Sequence, residues 1–94
     1  MNSGATKENE SLKKACITAL ETYTKIKEEK FNASFSRLEW CVGSYDFDKN
    51  PSGLLESAVT TLEELKAYKE ENPRKVTKQI IEKLEKAISK LQPA

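Results

Sequence analysis

Histidine is absent from this 94-residue chain. That absence excludes Ser-His-Asp and Cys-His nucleophiles, histidine phosphotransfer and most zinc sites. Glycine is scarce, and Gly4, Gly43 and Gly53 stand far apart, so no glycine-rich phosphate loop can be assembled. The longest apolar runs are two or three residues, as at Ile80-Ile81, against the ~18 that a membrane span needs. The opening MNSGATKENE carries no apolar core of a secretory signal. These absences lead to the expectation of a cytoplasmic protein with no membrane partner. Cys16 and Cys41 stand 25 positions apart with no CxxC and read as buried free thiols, because a structural disulfide would need an oxidising compartment. Asn9-Glu10-Ser11 and Asn32-Ala33-Ser34 match the glycosylation sequon, and without a secretory signal both read as coincidence. Sixteen basic against 15 acidic residues leave a net charge of +1, which makes nucleic acid an unlikely partner.

What is present is helical patterning. Hydrophobic residues are 37% and charged residues 33%, the balance of a polar globular domain with a modest core. Residues 1–7 are polar and read as a disordered tail, with residues 8–92 as one domain. From about residue 8, Leu12, Cys16, Ala19, Leu20, Tyr23 and Ile26 recur at steps of three and four, which predicts a helix over about 8–30. The stripe then slips by one residue: Phe31, Phe35, Leu38, Val42 and Tyr45 form a second series. Ser36-Arg37-Leu38-Glu39 has the pattern of a capping box, and Gly43 could close a helix early, so a short second helix is expected over about 36–46. Asn50-Pro51 gives an N-cap followed by a proline at the first helical position. With Leu54, Leu55, Ala58, Leu62, Leu65 and Tyr68 it predicts a helix over 51–71. Asn72-Pro73 repeats the signal, and Val76, Ile80, Leu84, Ala87, Ile88 and Leu91 predict a fourth helix over 73–91. Period-two alternation is never sustained and no Asn-Gly or Asp-Gly turn occurs. The expected fold is all-α: a compact antiparallel bundle of four helices, three long and one short.

Few constellations carry chemistry. Asp46, Asp48 and Asn50 alternate like the first ligands of a calcium loop. Pro51, however, stands where such a loop needs glycine, and Ser57 where it needs a bidentate Glu. The segment therefore reads as an interhelix corner, with a weak calcium-responsive helix-loop-helix as an alternative. Glu28-Glu29, Glu63-Glu64 and Glu70-Glu71 are adjacent on helices and so point about 100° apart. They are expected on solvent faces or helix ends, not as acid–base pairs. The basic segment with Arg74, Lys75, Lys78, Lys83, Lys86 and Lys90 is interrupted by Glu82 and Glu85. It reads as a solvated face or a complement to the acidic middle of the chain, with accessory nucleic-acid binding by the 74–90 helix as an alternative function.

The aromatics are the informative feature. Phe31, Phe35, Trp40, Tyr45 and Phe47 crowd into 17 residues. Phe35 and Tyr45 lie on the apolar stripe, whereas Trp40 and Phe47 fall off it, either because the helix is sandwiched on two faces or because they form an exposed patch. The spacing Trp40-x2-Gly43-x-Tyr45, then Ala58-x3-Leu62 and Pro73, resembles a tetratricopeptide helical hairpin over about a third of the chain. The Trp-Gly and Gly-Tyr intervals are each one residue shorter than in that repeat, its closing Pro comes sooner, and only one copy is present. The resemblance implies a helical hairpin with an aromatic first helix. Together these readings predict a non-catalytic helical protein–protein interaction or regulatory module without cofactor or metal. Phe35, Trp40, Tyr45 and Phe47 are its candidate contact residues, and another protein, or a second copy of the chain, is its partner.

Overall fold

The computed structural model describes residues 3–48 and 52–91. They form the expected all-α bundle: α1 (Ser3–Ile26), a single 3-10 turn (Glu29–Phe31), α2 (Asn32–Asp48), α3 (Ser52–Glu71) and α4 (Lys78–Leu91). Successive helices run antiparallel. Tyr45 near the end of α2 reaches Glu10 near the start of α1, and Ser34 near the start of α2 reaches Glu64 near the end of α3. α1 and α3 pack on each other and on both remaining helices, while among the described residues α2 and α4 occupy far corners with little mutual contact. α1 begins at Ser3, within the stretch read as a tail. Among the described residues no helix is long and apolar enough to cross a membrane.

The apolar stripes converge on one core. Leu12, Ala15, Cys16, Ala19, Leu38, Tyr45, Leu54, Ala58, Leu65, Val76 and Leu84 are almost wholly withdrawn from solvent. Burial of each large aliphatic side chain among them stabilises the fold by about 1.5–3 kcal/mol. Leu20, Phe35, Val42, Leu55, Val59, Leu62 and Leu91 pack around this centre half-buried. Both cysteines are free and buried.

Other boundaries also differ from expectation. The break between α1 and α2 falls at residues 27–31, not 31–35, so α2 starts at Asn32 and is no short helix. Lys27 closes α1 in the left-handed region with φ of 59°, its amide donating to the Tyr23 carbonyl at 3.0 Å. Such a conformation costs a non-glycine residue roughly 1–2 kcal/mol. What holds it is Phe31: the 3-10 turn that follows drives this ring between Tyr23 and Tyr68, with centroids at 5.2 and 5.4 Å. The buried aromatic contact offsets the strain. Ser36 therefore lies inside α2 and caps nothing, and Gly43 is likewise internal.

At the other corner Pro73 does not open a helix. α3 extends to an Asn72 amide bonded to the Tyr68 carbonyl at 2.8 Å, a turn follows with Lys75 N–H donating to the Asn72 carbonyl, and α4 starts only at Lys78. Its cap is Thr77, whose Oγ1 accepts the Ile80 amide at 3.3 Å, the N3 bond of a helix N-cap. Lys69 clamps this corner, donating to the carbonyls of Pro73 and Val76, while the buried Val76 anchors it from below. The capping role expected of Asn50 and Pro51 lies outside the described residues.

Candidate interaction face on α2

Residues 40 and 47 are seven apart, or about 700° around a helix, 20° short of two full turns. They share a face and stand about 10 Å apart along it. That face points away from the bundle: Trp40 is 72% and Phe47 92% exposed. The same side of α2 carries Ala33, Ser36, Arg37 and Gly43, all exposed, and Ser44 at its edge. Two large rings thus flank a notch of small residues, and a Cβ built at Gly43 meets nothing within 4 Å.

The opposite side of the helix explains why the face cannot turn inward. Leu38 and Tyr45 are buried, and Cys41 lies against α3 with its Sγ 3.0 Å from the Ser57 Oγ. Phe35 is half-buried against the core. The four aromatic candidates therefore divide. Trp40 and Phe47 are brought together on the outer face. Phe35 packs against the core, and Tyr45 points into it, its hydroxyl donating to the Glu10 carboxylate at 3.0 Å. The helix is thus apolar on two sides. Beside Trp40 a small cleft of about 90 Å³ runs down to Cys41, Ser44, Asp48, Gly53 and Leu54.

Carboxylates expected on solvent faces do structural duty instead. Glu64 accepts from the Tyr23 hydroxyl and from Ser34, each at 2.8 Å, joining α1, α2 and α3. Glu28 accepts from the Tyr68 hydroxyl at 3.1 Å. Each of the three tyrosines thus inserts its ring into the core and hands its hydroxyl to a carboxylate of another segment. Burial first, and the neighbouring carboxylate second, raise the ionisation of all three hydroxyls, that of Tyr45 to about 12. Burial, reinforced by Cys41, pushes the Cys16 thiol to about 12, so it is not a nucleophile at neutral pH.

Elsewhere the surface offers charge without convergence. Asp46 and Asp48 lie in the last turn of α2, two positions and so about 200° apart, and Asp46 is paired with Lys13 of α1. Among the described residues no cluster of three metal-ligating side chains occurs. On α4, Lys78 pairs with Glu82 at 3.9 Å, and Glu85 pairs with Lys66 of α3 at 3.2 Å. A groove of about 230 Å³ between α1 and the start of α4 mixes Lys25, Lys75 and Lys83 with Glu21.

Comparison with protein-family models, with curated proteins and with solved structures finds no match to this chain.

Proposed function

We propose that the protein is a non-catalytic helical interaction module that engages another protein through the outer face of α2. The observation that carries this reading is the placement of Trp40, largely exposed, and Phe47, almost fully exposed, on one face around Gly43 and Ser44. Single exposed apolar residues are commonplace, but two large aromatics exposed on one helix face are the kind of feature that marks a contact site. Aromatic side chains are also the usual anchors of protein interfaces. Each ring left in water forgoes about 1.5–3 kcal/mol of burial, which complex formation recovers. Nucleic-acid binding by α4 is less favoured, because Glu82 and Glu85 interrupt its lysines and both are engaged in ion pairs.

A photo-crosslinking residue placed at Ser44 tests the proposal in the native cell. It should capture a discrete protein partner, and the Trp40→Ser/Phe47→Ser variant, equally folded, should lose that product. A partner captured equally well by the double variant would overturn the reading.

A further inference from the structure

The C-terminal charges of α2 run against its own dipole. Arg37 and Glu39 lie in the N-terminal half, and two acids, Asp46 and Asp48, occupy the last turn, where no basic residue stands. A helix prefers the reverse arrangement, with cations near its C-terminus. Lys13 answers Asp46 from within the chain. On the aromatic face, Arg37 and Asp48 lie about 20° apart around the axis, on the same flank of the Trp40–Phe47 stripe.

We infer that this face pairs antiparallel with the same face of a second copy of the chain, about a two-fold axis between Gly43 and Ser44. The inference rests on the reading of that face as a protein contact and names its occupant. In an antiparallel pair related by such an axis, like flanks meet. Residue 40 then lies level with residue 47 of the other copy, so Trp40 packs beside the opposite Phe47 at both ends. Gly43 sits at the centre, where a missing Cβ lets the backbones approach. Arg37 comes within about 3 Å, measured along the axis, of the level of the opposite Asp48. The pair thus meets each acidic helix end with a cation, twice. A parallel pair would instead bring the two acidic ends together.

The area suits a reversible dimer. Aromatic side chains bury about 150–250 Å² each, so four rings contribute at most roughly 600–1,000 Å², below the about 1,200–2,000 Å² of stable interfaces and in the size class of weak, transient contacts. On the Arg37–Asp48 flank the surface is self-complementary, as an isologous contact requires.

Sedimentation equilibrium of the full chain from about 10 μM to about 1 mM tests this. The weight-average mass should climb from one chain toward two. Gly43→Glu should weaken association at least tenfold while its thermal midpoint stays at or above that of the wild type, because the position is open in the monomer. A short bis-maleimide should link Ser44→Cys chains to each other but not Ser36→Cys chains, whose counterparts lie about 22 Å apart along the antiparallel pair. A chain that stays monomeric to 1 mM, or equal linkage at both positions, overturns the antiparallel self-pairing. Neither result touches the contact reading itself, which fails separately if Trp40 is shielded from solvent in dilute protein.

Discussion

α4 directs every apolar residue at the core, whereas α2 divides its apolar residues between two sides. Ile80, Ile81, Leu84, Ala87 and Ile88 are buried and Leu91 packs beside them, so folding alone accounts for the pattern of α4. In α2 the inner side, Leu38, Cys41 and Tyr45, is equally well accounted for, and Trp40 and Phe47 are left over. Residues that folding does not need are where selection for something else shows. The contrast is the ground for the contact proposed on α2, in a bundle whose tyrosine–carboxylate ties are occupied in holding it together.

The contrast is broken most forcefully at Leu84, which is fully buried. Leu84→Ala should cost about 2–5 kcal/mol in a denaturant titration. Next in size, Tyr23→Phe removes the hydroxyl that donates to Glu64 and leaves that carboxylate with Ser34 alone; loss of a hydrogen bond to a charged group should cost about 1.5–3 kcal/mol, read from the shift in denaturation midpoint. High pH attacks the same ties. With the Tyr45 hydroxyl raised from 10.0 to about 12 and the Cys16 thiol from 9.0 to about 12, the folded state holds its protons longer than the unfolded chain. The stabilisation these groups contribute is fully present below about pH 9 and is lost as pH rises from there through about 12. Thermal midpoints measured from pH 8 to 12 should therefore fall steadily, and a flat profile would count against buried hydroxyls. Lys27→Gly relieves the left-handed residue and should raise stability by about 1 kcal/mol. The smallest effect sharpens the comparison: Trp40→Ser should change stability by no more than about 0.5 kcal/mol. A loss at Trp40 approaching that at Leu84 would erase the distinction between the two helices.

Much of this architecture is legible in the sequence, because a helix that buries one stripe must repeat its apolar residues at steps of three and four. Leu12, Cys16, Ala19, Tyr23 and Ile26 lie where their spacing puts them, as do Ile80, Leu84, Ala87 and Ile88. The α2–α3 pair is also the helical hairpin with an aromatic first helix that the Trp40-Gly43-Tyr45 spacing suggested. Helix ends are less legible. The first break uses a lysine where a glycine or asparagine is usual, and it is held by Tyr23 and Phe31 on either side of it closing with Tyr68, which is distant in sequence. Ser36 looked like a cap, but the helix already runs through it from Asn32, and exposed Gly43 is tolerated inside a helix at about 0.5–1 kcal/mol. Thr77 was overshadowed by Pro73. The ties from Tyr23 to Glu64, Tyr45 to Glu10 and Tyr68 to Glu28 span 35 to 41 residues, and no local pattern announces them. In the candidate face, spacing singled out Trp40 and Phe47 as off the stripe, but only the packing of α1 and α3 against the other side of α2 decides that they face solvent.

The chain contains one tryptophan, so its fluorescence reports on this face alone. Acrylamide quenching of Trp40 emission in dilute wild-type protein measures the central claim directly. Emission should lie at the wavelength of indole in water, with quenching close to that of free tryptophan. Blue-shifted emission resistant to acrylamide would place Trp40 inside the fold and contradict the account.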